Sequence, residues 1–270
     1  MRRFLDRRPL LFCLAVTAAL FVLTAMSRFS FPRQPVKNAR RLPQEAFEPP
    51  TGFDRVFTDL KSPDVLFWGM AILLAAVLLF WTGLWREAGF TRPITKNLRL
   101  LWFPLFVGAL ALSGGVFVTG FDALASAFLV VLVAAFGQEL IFRGLLWRAL
   151  VPGGPVGTTV ATSVLVGVLV LGRSATDGPW PEAVRLTALA VCGGFAYGAL
   201  RWRTASIWPV IAVHAAFAFA VDIAALGTVT YRVLMLLSTL GFVLYGLFLL
   251  RNRHVRADGG LAKPKPARVR

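Results

Sequence analysis

The sequence predicts an all-α protein, a multi-pass transmembrane helix bundle of about eight spans. Three observations carry this prediction. Hydrophobic residues make up 57% of the chain and the mean hydropathy is +0.70. Only 16% of the residues are charged, too few for the exterior of a soluble domain of 270 residues. The charges also fall in short intervals separated by long uncharged runs.

No charge occurs between Arg8 and Arg28, Asp64 and Arg86, or Arg99 and Asp122. Further gaps run from Asp122 to Glu139, Arg148 to Arg173, Arg185 to Arg201, Arg203 to Asp222 and Arg232 to Arg251. Crossing about 30 Å of hydrocarbon takes roughly 20 helical residues, and most gaps approach that length. The spans are therefore placed at about 9–27, 65–84, 100–120, 122–142, 155–172, 184–200, 205–224 and 231–250. The gap after Asp122 is short, so its helix carries Glu139 inside the membrane or at its edge. The gap after Arg185 is also short, and the long Arg201 side chain can snorkel toward headgroups. Runs such as LLFCLAVTAALFVLTAM lack the polar–apolar alternation of a membrane β-barrel. The first run has no clear small-x-small cleavage signal before Arg28, which favours a retained span over a signal peptide.

The net charge of +16 does not point to nucleic acid, because the basic residues cluster at alternate connections. Arg2, Arg3, Arg7 and Arg8 precede the first span. Arg86, Arg92, Lys96 and Arg99, then Arg143 and Arg148, then Arg201 and Arg203, fall on the same side after eight crossings. The tail from Arg251 joins them. The positive-inside rule places both termini in the cytoplasm, and the composition suits a bacterial-type plasma membrane. The opposite side is mixed: connection 28–64 holds seven basic and five acidic residues.

Four regions follow. Residues 1–97 form an N-terminal transmembrane pair with a proline-rich exterior connection, in which Phe53, Val56, Phe57 and Leu60 have the spacing of a surface helix over 52–61. An ordered loop is the competing reading of that stretch. Residues 98–224 form the membrane core, 225–250 a C-terminal transmembrane helix, and 251–270 a basic disordered tail. Cys13 and Cys192 lie inside spans and suggest no disulfide.

Ionisable groups at bilayer depth are costly and mark candidate sites. Glu139 and Arg143 are four residues apart on one helix face. They read either as an ion pair fixing the end of the fourth span or as a half-buried carboxylate able to polarise water. His214, near the middle of the seventh span, reads either as an interhelical hydrogen-bonding group or as an active-site imidazole. Asp222 lies two turns further on, near the span end. One membrane histidine and one nearby glutamate fall short of a three-ligand zinc site, so neither metal nor cofactor is expected. Gly193, Gly194 and Gly198 give the sixth span a small-residue face for close helix contact.

The segments QELIFRGLLWRAL at 138–150 and GGFAYGALRWRTASIWPVIAVHAAF at 193–217 resemble the CAAX-protease and bacteriocin-processing family of intramembrane glutamic endopeptidases. The resemblance covers residues 98–224. It implies a CAAX-protease-like core whose relatives cleave peptide bonds in a membrane cavity, with motifs Glu-Glu-x-x-x-Arg, Phe-x-x-x-His and His-x-x-x-Asn. Its first glutamate is held to activate water, and its histidines and asparagine to assist. By this correspondence Glu139, Arg143 and His214 are retained. Gln138 stands at the first glutamate, Val166 and Val170 at the phenylalanine and histidine of the second motif, and Ala218 at the asparagine.

Those substitutions change the chemistry. Glutamine has no carboxylate to take a proton from water. Valine and alanine offer nothing to an oxyanion, and losing one such donor costs about 10²–10³ in rate. Glu139 points about 100° around an α-helix from Gln138 and replaces it only through a changed register. The expectation is a relative with impaired or lost endopeptidase activity, keeping a cavity for a membrane-embedded or lipidated peptide. The alternatives are an active endopeptidase using a reduced Glu139/His214 site and a small-solute transporter or channel. The last lacks an obvious inverted repeat. The lipid bilayer is the expected partner, with no nucleic acid; the sequence leaves the oligomeric state open.

Overall fold

A computed structural model describes residues 2–30, 62–118, 120–176 and 178–251 of the chain. The surface helix expected over 52–61 and the tail beyond Arg256 lie outside these residues. Regular structure among the described residues is helical, apart from one isolated antiparallel bridge between Val116 and Ala224.

Helix α1 (Arg2–Arg7) leads into α2 (Pro9–Ser30). Helix α3 (Pro63–Thr82) begins where the Ser62 hydroxyl accepts from the Val65 N–H at 3.3 Å, with Pro63 and Asp64 in its first turn. Helix α4 (Trp102–Ala111) is flanked by 3₁₀ turns at Thr95–Leu101 and Leu112–Gly114. It is shorter than the span expected over 100–120, because the chain becomes extended near Val116. Helix α5 (Phe121–Glu139) continues through a π-helical segment, Leu140–Leu145, into α6 (Leu146–Leu150). Four further helices follow: α7 (Gly154–Ser174), α8 (Trp180–Thr204), α9 (Trp208–Ile223) and α10 (Thr228–Arg251).

Six stretches among the described residues are long and apolar enough to cross a membrane, and Trp208–Ile223 is a shorter apolar helix. One of the six, Phe121–Ser174, has 54 residues. As a single rod it would extend about 80 Å, far beyond the hydrocarbon thickness. It instead folds back at the 3₁₀ turn Val151–Gly153 and at Gly154, whose φ of 82° is a conformation that favours glycine. The described residues thus contain eight apolar helical passes, in agreement with the expected number. The chain is a multi-pass helical membrane protein.

The helices bury one side and expose the other. On α10, Val233, Leu236, Leu237, Leu240, Leu244 and Leu247 form an exposed apolar stripe, the surface that lipid covers. Its opposite face buries Met235, Phe242, Tyr245 and Leu249. Hydroxyls within the passes donate to their own helices: Thr82 to the Leu78 carbonyl at 2.7 Å, Thr162 to that of Thr158 at 2.9 Å and Thr204 to that of Leu200 at 2.8 Å.

Two apolar clusters organise the interior. The first joins Phe12 and Leu20 of α2, Phe67 and Leu79 of α3, and Leu140, Ile141 and Phe142 of the π segment. The N-terminal pair therefore packs directly against the segment carrying Arg143. The second cluster joins Val107 of α4, Ala196 and Leu200 of α8, Val213 and Phe217 of α9, and Phe242 and Tyr245 of α10.

Helix α9 is tied at both ends. At its start, the Ile207 N–H donates to the Gly89 carbonyl at 3.0 Å, and the Ser206 hydroxyl donates to the Thr91 carbonyl at 2.7 Å. At its end, the Phe117 N–H donates to the Ile223 carbonyl at 3.1 Å, and the Ala225 N–H donates to the Gly115 carbonyl at 2.9 Å. These bonds set the position of His214 relative to α5.

Candidate active site in the membrane core

Where the two clusters meet, the interior becomes polar. Glu139 and Arg143 are both fully buried, with the Arg143 Nε 3.4 Å from Glu139 Oε2. The other carboxylate oxygen, Oε1, lies 2.8 Å from Nδ1 of His214 on α9. With the carboxylate ionised, the imidazole donates from Nδ1, which leaves Nε2 as the acceptor nitrogen of the neutral ring. Tyr197 of α8 stacks on the imidazole, with ring centroids 4.8 Å apart and planes 27° from parallel. Glu139 thus joins a cation and an imidazole brought from another helix, and each partner offsets part of its desolvation.

The helix carrying the pair runs on to Leu150, so the Glu139–Arg143 pair lies within it and not at its end. The π segment begins immediately after Glu139. Such segments insert extra backbone into a turn and concentrate at functional sites.

Space for the Arg143 guanidinium comes from Gly194. A Cβ on Gly194 would sit 2.7 Å from Arg143 Nη2 and 3.3 Å from the Ser163 hydroxyl oxygen, so any other residue would push into the arginine. Arg143 Nε, Nη1 and Nη2, Glu139 Oε2, Thr159 Oγ1 and the Tyr197 hydroxyl are buried without a hydrogen-bond partner. This is a polar cluster held chiefly by packing and charge.

Beside it lies a cavity of about 320 Å³, within the usual size range of ligand sites of about 300–1,000 Å³. Gln138, Val170, His214 and Ala218 all line it. The residues singled out at the three motif positions therefore come together with the histidine, from α5, α7 and α9. Glu139 faces away, into the buried cluster, while its neighbour Gln138 faces the cavity. Asp222 lines the same cavity with Phe217, Val221, Leu186, Leu189 and Phe242.

Residues 119–220 match the family model described as type II CAAX prenyl endopeptidase Rce1-like. The membrane core is CAAX-protease-like. The match falls inside the region singled out by the sequence motifs. No curated protein and no solved structure matches the chain.

This CAAX-protease-like core presents to the cavity the carboxamide of Gln138, the isopropyl group of Val170 and the methyl group of Ala218. The imidazole that lines the cavity is backed by a carboxylate at 2.8 Å, an arrangement that fixes its orientation. Among the described residues no group of three His, Cys, Asp or Glu side chains gathers to hold a metal ion.

Tyr197 and the π segment escaped sequence reasoning. Tyr197 falls among Gly193, Gly194 and Gly198, so its helical spacing from that small-residue face was an available signal. The π segment has no comparable signature in LIFRGL.

Proposed function

We propose that this protein binds a membrane-embedded or lipidated peptide segment in the cavity beside His214 and does not hydrolyse it efficiently. One observation carries the proposal: Gln138, and not Glu139, faces the cavity. A general base must reach the water it deprotonates, and a glutamine side chain cannot take that proton. Glu139 is fully buried and engaged by Arg143 and His214. Asp222 is too remote to share a water with His214, since eight residues of helix separate them by about 12 Å. We also propose a plasma-membrane location with both termini cytoplasmic, from the distribution of arginines.

The test uses the full chain in nanodiscs with a fluorogenic transmembrane peptide. Saturable binding without cleavage is the expected result. Turnover that disappears in Glu139→Gln or His214→Ala would overturn it.

A second reading is favoured by the 2.8 Å contact between Glu139 and His214. In it His214 Nε2 accepts the proton of a cavity water, Glu139 stabilises the imidazolium, and the Gln138 amide donates to the oxyanion. The same cleavage assay separates the two readings.

A further inference from the structure

His214, Phe217, Ala218, Val221 and Asp222 all line the cavity, and all lie on α9. Their spacing of three, four, seven and eight residues is that of a single helix face. The cavity therefore has a polar end at Gln138 and His214, an apolar middle at Phe217, Ala218 and Val221, and a carboxylate at its other end. At 1.5 Å per residue, the imidazole and the Asp222 carboxylate are separated by about 12 Å along the helix.

Asp222 has no ion-pair partner among the described residues. Arg185 pairs with Glu182 and does not line the cavity. Arg232 lines an adjacent cleft, which meets the cavity at Leu186 and Leu189 and does not include Asp222. An unpaired carboxylate at the exposed end of a largely apolar slot attracts a cation and disfavours an anion.

We propose that the cavity selects a ligand carrying a cationic group about 12 Å from a carbonyl, with Asp222 receiving the cation and Gln138 and His214 engaging the carbonyl. In an extended peptide that distance spans about four residues, so the ligand class is an apolar segment with a basic side chain or free amine about four residues from the engaged peptide bond. The proposal rests on the peptide-binding reading of this cavity and names its specificity. Charge-assisted contact at Asp222 supplies discrimination, while the apolar walls supply affinity without regard to charge.

The test uses the full chain in nanodiscs and three acetamide probes with an eight-methylene chain, ending in ammonium, methyl or carboxylate. The chain places the terminal group about 12 Å from the amide. Affinity is read by NMR titration. The ammonium probe is expected to bind about tenfold more tightly than the methyl probe and the carboxylate probe most weakly. Shortening the chain to four methylenes removes the ammonium advantage. Asp222→Asn brings the ammonium and methyl affinities together; Asp222 is exposed, and an unchanged thermal midpoint establishes that this variant is folded. Equal binding of ammonium and methyl probes to the unmodified protein overturns the charge selection and leaves the cavity reading standing. Binding of none of the three overturns both.

Discussion

The carboxylate of Glu139 and the imidazole of His214, 75 positions apart in the chain, meet at 2.8 Å in the membrane core. Arg143 lies on the other side of the same carboxylate, at 3.4 Å. Instead of serving a cavity water, this carboxylate is the centre of a buried charge cluster.

That cluster predicts strong coupling. Arg143→Met alone leaves Glu139 without its cation and should lower stability by about 3–5 kcal/mol. Glu139→Gln combined with Arg143→Met should recover much of the loss, since no lone charge remains. Thermal unfolding in detergent, arranged as a double-mutant cycle, measures the coupling. Additive effects would contradict a shared cluster.

Placing the motif groups in the cavity should introduce chemistry. Gln138→Glu, Val170→His and Ala218→Asn together supply a carboxylate, an imidazole and an amide donor at positions that line one cavity. The triple variant should cleave a membrane peptide at least about 10²-fold faster than Gln138→Glu alone, because the oxyanion donors are missing from the single variant. Equal rates for the two would show that these positions do not cooperate.

Tyr197 separates ring from hydroxyl. Its ring stacks on His214, while its hydroxyl is buried without a partner. Tyr197→Phe should leave the thermal midpoint unchanged or higher, because it removes an unsatisfied polar group. Tyr197→Ala should cost about 3–5 kcal/mol by opening a cavity beside the imidazole.

Gly194 and Gly69 make a matched pair. Gly194→Ala drives a methyl group toward Arg143 Nη2 and should destabilise by about 1–3 kcal/mol. A Cβ at Gly69 meets nothing within 4 Å, so Gly69→Ala should be neutral or slightly stabilising in the same assay.

The candidate site was partly legible along the chain. The four-residue spacing of Glu139 and Arg143 announced their pairing, because helical neighbours at that spacing share a face. Proximity between Glu139 and His214 was not readable, since it depends on how α9 is tied to the Gly89 and Gly115 connections. Tyr197 hid among packing glycines for the same reason: its partner belongs to another helix. The placement of Asp222 at one end of a cavity-lining strip of α9 was likewise not readable, since it depends on which helices enclose the cavity.

The sequence by itself determined the membrane passes. Each uncharged run must satisfy its own backbone in lipid, and a helix does so using neighbours four residues away, so the pattern is local and visible. Tertiary structure alone decided that Gln138 faces the cavity while Glu139 turns into the interior. That choice depends on helix rotation, on the π segment after Glu139 and on the close approach allowed by Gly194, all of which are set by contacts between residues far apart in the chain.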